Sequence, residues 1–173
     1  MNESLTLWAK YNLATDEKVH QLLAGLGEAE YTKERNTYFK SLAALHLHYV
    51  QTYRVYCGLI RKNWGDKYMV SPLTEESYEV TAKSLEQVGK LSLEYGKLLA
   101  AFCAAVSDSD LAGPKTKRLM RSGKTILVSM GDIMIQLVNH TAHHRGQLSQ
   151  LLDELGVEHD IGGILGHAEE VKA

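Results

Sequence analysis

The sequence predicts an all-α protein, a four-helix bundle with a short hairpin or extended segment before its last long helix. Three features carry that prediction. Only two prolines, Pro72 and Pro114, occur in 173 residues, and proline interrupts helices because it lacks the backbone donor and clashes with the preceding turn. Apolar residues recur every three or four positions along four long segments, each giving one stripe that must be buried. Both prolines fall between those segments. Four amphipathic helices on a chain of this length close around one core, so residues 1–173 are read as a single domain.

The first helix is predicted up to about residue 26, on Leu5, Trp8, Asn12, Val19, Leu22, Leu23 and Leu26, with Gly25 and Gly27 as stop signals. A polar loop over Glu30 to Arg35 follows. The second helix is predicted over about residues 36–63, with Leu42, Leu45, Tyr49, Thr52, Tyr56 and Leu59 on its stripe, ended by Gly65, Asp66 and Ser71-Pro72. Thr74-Glu75-Glu76 reads as an N-cap with acids in the first turn, where they complement the helix dipole. From it a third helix runs to about Val106, with Val80, Leu85, Val88, Leu91, Leu98 and Phe102 among its apolar positions. Gly89 and Gly96 inside it each cost about 1 kcal/mol relative to alanine, and close packing against a neighbour is a reason to keep them.

Ser107 to Pro114 is a loop by composition. Lys117 to Arg121, Ser122-Gly123, then Lys124 to Val128 reads as a two-stranded hairpin turning at the glycine. The last helix is predicted from about Gly131 to Leu155, where Ile133, Leu137, His140, His144, Leu148, Leu151 and Leu155 form one continuous face, with Gly156 as C-cap. Residues 157–173 read as irregular, frayed from His167 onward.

Composition excludes several function classes. Hydrophobic residues make up 45% and charged residues 23%, the balance of an ordinary soluble domain. Nineteen basic against twenty-one acidic side chains give a formal charge of -2, with no general attraction to nucleic acid or anionic membrane. Lys115, Lys117, Arg118, Arg121 and Lys124 cluster on the hairpin, but a short charge run of this kind is read as a solvated face. No stretch approaches the 18 apolar residues of a membrane span. Met1 to Leu5 carries an acid where a secretory peptide would carry positive charge. The expected location is therefore the cytoplasm, with Cys57 and Cys103 as free thiols.

The eight histidines hold the chemical question. His140 and His144 are four apart, so their rings project one turn apart from a single face, and that face is the apolar stripe. Buried imidazoles need hydrogen-bond partners or a cation. Two histidines in this register reach one metal ion or are simply satisfied core groups. The spacing also matches the ends of the His-Glu-x-x-His zinc-protease motif, but Thr141 stands where that motif has its general base. His143 lies off the axis of the pair and is read as a near neighbour or a surface residue. A third ligand must come from another helix, and His20, His46 and His48 are candidates that periodicity does not separate. Glu17 and His20 match one Glu-x-x-His element of di-iron bundles, whose second copy is missing. A solvated helix-start position is the expected fate of both residues.

His140-Thr141-Ala142-His143-His144-Arg145-Gly146-Gln147, opening a leucine-rich helix, resembles the signature of the DinB-like (damage-inducible) superfamily. Trp8 to Asn12 resembles its first-helix Tyr-Asn element. Phe39 to Leu42 and Leu47 to Tyr56 resemble its second helix, and Gly156-Val157 with Asp160 to Leu165 its C-terminal end. The resemblance implies a four-helix bundle holding one divalent metal ion on three histidines, His48, His140 and His144, with His46 outside the motif. It also implies a departure, because the family often has an acid five residues after the second-helix histidine and this chain has Tyr53.

Three neutral imidazoles suit zinc, nickel, manganese, iron or cobalt, and they leave a coordination position open, as catalytic sites do. The family resemblance implies a metal-dependent stress-response enzyme, a transferase of low-molecular-weight thiols, whose partners are a small-molecule substrate and a thiol co-substrate. Tyr49, Tyr53 and His143 are candidates to orient a substrate, with core packing the more ordinary role for the tyrosines. A metal-binding stress or interaction protein without turnover and a metal-assisted hydrolase are the alternatives. Gly146 is expected to allow close helix approach, and Gln147 to bond a ligand histidine's second nitrogen. A homodimer is the expected assembly.

Overall fold

The computed structural model describes residues 1–65 and 84–168. In chain order these form helix α1 (Asn2–Thr32), α2 (Leu42–Trp64), α3 (Leu85–Ala105), the single turn α4 (Asp108–Ala112), strands β1 (Thr116–Leu119) and β2 (Thr125–Val128), helix α5 (Met130–Glu154) and a closing turn at Ile164–His167. The four long helices and the hairpin before the last of them are the architecture that the sequence predicts.

The helix ends differ where tertiary contacts or side-chain caps intervene. In α1, Gly27 leaves helical geometry at φ 78°, ψ 163°, where the sequence predicts a stop. The chain nevertheless resumes the helix through Thr32, across residues expected to be loop. Tyr31 is the reason: it is fully buried, and its hydroxyl lies 3.1 Å from His46 Nδ1 on α2. Helix α2 begins at Leu42 instead of residue 36. Lys40 adopts φ 66°, and the extended Ser41 accepts a hydrogen bond from the Ala44 N–H at 3.0 Å. Residues 35–40 form a tight turn, in which the Arg35 N–H donates to the Lys40 carbonyl at 2.6 Å.

Helix α3 is capped at Ser84, which exchanges hydrogen bonds with Gln87 in a capping box. The Thr74 cap and Val80 lie outside the described residues. The two glycines of α3 do mark close packing. A Cβ on Gly89 would collide with the His20 imidazole, and one on Gly96 would lie 2.9 Å from Leu13 Cδ1. His20 is therefore packed against α3 and not solvated as expected, while Glu17 is exposed. The Ser-Asp-Ser-Asp stretch expected as loop forms α4, because Ser107 and Asp110 make a second capping box.

In the hairpin Thr116 pairs with Val128 and Arg118 with Ile126, and Gly123 takes the turn at φ 80°. Ser129 and Asp132 cap α5 with a third box. Its far end closes as the sequence predicts: Gly156 sits at φ 70°, its N–H donates to the Asp153 carbonyl, and the Val157 N–H donates to the Leu152 carbonyl at 3.0 Å.

Helix α1 packs mainly on α3, and α2 on α5 and α3. The apolar core divides into two clusters. One joins Leu5, Trp8, Val50, Phe102, Ile133 and Leu137, and the other joins Val19, Leu23, Leu42, Leu45, Leu148 and Leu152. Along α1, α2 and α5 the gap between them is filled by buried polar residues: Asn12 and Asp16, His46, then Thr141, His144 and Arg145. A polar layer thus crosses the middle of the bundle. Among the described residues no helix is long and apolar enough to cross a membrane.

Candidate metal centre

Three imidazoles converge at the edge of this polar layer. Helix α2 contributes His48, and α5 contributes His140 and His144; their ligand atoms all lie within 4.8 Å of one another. His48 Nε2 is 3.1 Å from His144 Nε2, and the rings of His140 and His144 are 4.4 Å apart between centroids. Two nitrogens bound tetrahedrally to one zinc-sized ion lie roughly 3.3 Å apart. The pair is already at a ligand-to-ligand spacing.

Outer hydrogen bonds fix which nitrogen of each α5 histidine faces inward. His144 Nδ1 lies 2.7 Å from Gln147 Oε1. An amide oxygen only accepts, so Nδ1 carries the proton and Nε2 presents a lone pair to the cluster. His140 Nδ1 lies 3.3 Å from Thr52 Oγ1. That hydroxyl spends its proton on the His48 carbonyl at 3.0 Å, so it accepts from His140 Nδ1–H. Both α5 imidazoles are thus held in the tautomer that a metal needs, by partners of the kind that orient metal ligands. Gln147 takes the role the sequence predicts for it.

Burial lowers the basicity of all three rings. His144 is pulled down to about 4, first by desolvation and then by the neighbouring imidazoles, with the Gln147 bond working against them. His48 and His140 are also lowered, again by burial first. All three are neutral near pH 7, as metal ligation requires. The Phe39 ring closes one side of the cluster, 4.8 Å from the His48 ring and 5.4 Å from that of His144. Tyr56 stands 6.4 Å from His140 on α2.

The remaining candidates separate clearly. His46 is buried and turned toward Tyr31, with its ring stacked 6.2 Å from Tyr49, outside the cluster. His20 lies against Gly89. His143 is exposed beside His144, with ring centroids 4.9 Å apart. Gly146 is exposed, and a Cβ there would meet nothing within 4 Å, so the close helix approach expected of it does not occur.

Directly behind the cluster lies a network that sequence reasoning missed. Arg145, one residue after His144, is 4% exposed, and its Nη2 sits 2.9 Å from Asp16 Oδ1, 2.7 Å from Asn12 Oδ1 and 3.0 Å from the Tyr49 hydroxyl. Its guanidinium also stacks over the rings of Tyr11 and Tyr49. The Tyr53 hydroxyl reaches Asp16 Oδ2 at 3.0 Å and the Tyr49 hydroxyl at 2.6 Å. Asn12, Asp16, Tyr49, Tyr53 and Arg145 thus tie α1 to α2 and α5 at the level of the histidines. The signal available in the sequence was the placement of Asn12 within an apolar stripe.

A family model, described as the DinB family, matches residues 1–164. The chain belongs to the DinB family. No curated protein matches the sequence. In this DinB protein Tyr53 points away from the three histidines and into the Arg145 network, where Asp16 of α1 supplies a carboxylate. The substrate-orienting role weighed for Tyr49 and Tyr53 does not fit that position, because both hydroxyls are spent inside the buried network.

Neutral burial of histidine sets a pH dependence. His46 is lowered to about 3 by burial and by the nearby His20, and His144 to about 4. An unfolded chain takes up protons at these positions below about 6.5, where the fold holds them neutral, so stability falls as pH falls. Urea midpoints of metal-free protein are expected to decline from about pH 6.5 to about pH 4. His46→Gln should flatten that decline, and a profile unaffected by the substitution would contradict the neutral burial of His46.

Proposed function

We propose that this DinB protein holds one divalent metal ion on His48, His140 and His144 and acts as a transferase of small thiols to electrophiles. The observation that carries the reading is the convergence of His48, His140 and His144 ligand atoms within 4.8 Å of one another, with Nδ1 of the two α5 rings taken up by Thr52 and Gln147. Three neutral protein ligands leave an open position, the pattern of catalytic sites. A divalent ion held by His48, His140 and His144 would lower the pKa of a thiol or water molecule and so supply a nucleophile near neutral pH. Zinc, nickel, manganese, iron and cobalt all suit three imidazoles.

The protein's own residues prepare that chemistry. Thr52 and Gln147 keep the α5 imidazoles oriented, and Phe39 shields one side of the cluster from water. Cys57 and Cys103 are free and buried, and burial pushes both thiols well up, Cys103 to about 12. Neither is a nucleophile at neutral pH. The reacting sulfur must therefore come from a soluble co-substrate, which favours thiol transfer over a cysteine-based mechanism. A cytoplasmic, homodimeric protein is the setting that accompanies this reading.

The test is a screen of small thiols against a chromogenic electrophile such as chlorodinitrobenzene, with metal-loaded and metal-stripped protein. Metal-dependent turnover is expected in the wild type and its loss in His48→Ala. Equal rates for the two proteins remove the enzymatic reading and leave a metal-binding protein without turnover. Ester cleavage that needs metal but no thiol favours the hydrolase instead.

A further inference from the structure

We propose that Arg118 is a specificity residue that binds a carboxylate on the thiol taken up by the three-histidine site. The inference rests on the metal-site reading above and deepens it by naming a substrate class, a small thiol that also carries a carboxylate.

Arg118 stands apart from the other basic residues of the hairpin. Burial alternates along β1, so Thr116 and Arg118 face inward while Lys117 and Leu119 face solvent. The run read from the sequence as one solvated charged face is therefore split by the strand period. The inward position carries Arg118 to α2, where its Cζ lies 5.6 Å from the centre of the Tyr56 ring. Tyr56 is buried, and its ring centre is 6.4 Å from that of His140. One aromatic ring thus separates the guanidinium from a candidate metal ligand.

Charge then decides what the arrangement suits. Among the described residues the Arg118 side chain has no ion pair and no hydrogen bond, whereas Arg35 and Arg145 are both paired with carboxylates. Among the described residues no acidic side chain stands against the histidine cluster: Thr52, Tyr56, Phe39 and Gln147 are uncharged, and the one other neighbour is the exposed His143 imidazole. A divalent ion on three neutral imidazoles would keep its full charge, and Arg118 adds another one aromatic ring away, across Tyr56. Such a place favours a dianionic ligand, with sulfur at the ion and a carboxylate in the planar fork of the guanidinium. Arg118 meets Tyr56 through the face of the ring, a contact that uses none of its N–H donors, so they are available to a ligand.

The experiment uses full-length protein loaded with cobalt, whose visible absorption reports thiolate ligation. Wild type, Arg118→Gln and Arg118→Lys are titrated with mercaptohexanoate and with mercaptohexanol, which differ only in the carboxylate. Wild type is expected to bind the carboxylate thiol about tenfold more tightly, as one charge-assisted hydrogen-bonded contact provides. Arg118→Gln should erase that preference and Arg118→Lys should keep part of it. Cobalt stoichiometry equal in all three proteins shows that the site itself is intact. Equal affinity of the wild type for both thiols, or an undiminished preference in Arg118→Gln, overturns the proposal while leaving the metal site standing. Failure of the wild type to bind cobalt overturns the metal-site reading, and this inference with it.

Discussion

Asp16→Ala is expected to destabilise the protein by about 3–5 kcal/mol, the cost of leaving a buried charge without its partner. Asp16 and Arg145 are 1% and 4% exposed and lie 2.9 Å apart, so the removed carboxylate cannot be replaced by bulk water. Among the described residues Arg145 Nε and Nη1 have no hydrogen-bond partner, so the guanidinium depends on the contacts of Nη2. Burial pulls the Asp16 carboxyl up, to about 6, and Arg145 pulls it back down. Urea denaturation at neutral pH measures the loss. The double variant Asp16→Leu with Arg145→Met should recover much of it, since apolar groups of similar size often replace a buried pair without penalty. A loss below about 1 kcal/mol in Asp16→Ala, the range of exposed pairs, would show that water reaches the layer.

His140→Ala is expected to abolish metal binding outright, from about one divalent ion per chain to none, because two histidines do not hold a divalent ion against buffer. Metal analysis of tag-free protein after dialysis reads this directly. Gln147→Leu tests the same site one step removed. It keeps all three imidazoles but frees His144 Nδ1 from the partner that fixes its tautomer, and metal affinity should fall about 10–100-fold. The two variants together separate a ligand from its support. Wild-type protein that refolds without metal near neutral pH sinks the site model altogether.

Much of this was legible in the chain. The last helix could be read to within a residue or two, because its apolar stripe, its histidine pair and its Gly156 stop all obey local periodicity. The turn of α1 beyond Gly27 could not. Helical geometry there is held by Tyr31 reaching His46, fifteen residues away in sequence. The start of α2 at Leu42 was no more legible, since Ser41 and not the preceding polar run supplies the cap. Serine caps at Ser84, Ser107 and Ser129 are recognisable patterns, yet each competes with a loop reading of equal local merit.

The candidate site divides in the same way. Periodicity alone put His140 and His144 on one inward face, because the helix repeat fixes which side chains share a side. It left His20, His46 and His48 equivalent, and family resemblance singled out His48. The distances between helices bring His48 Nε2 to His144 and turn His46 toward Tyr31. The Asn12, Asp16, Tyr49, Tyr53 and Arg145 layer belonged wholly to the tertiary structure. No local rule pairs an acid on the first helix with an arginine on the last, since their meeting depends on how the bundle closes. By itself the sequence determined the helices, their buried faces and the histidine pair, all consequences of bonds and sterics within a few residues. Packing decided the third imidazole, the tautomers and the charged layer behind them, because those depend on groups that only the closed fold brings within hydrogen-bond reach.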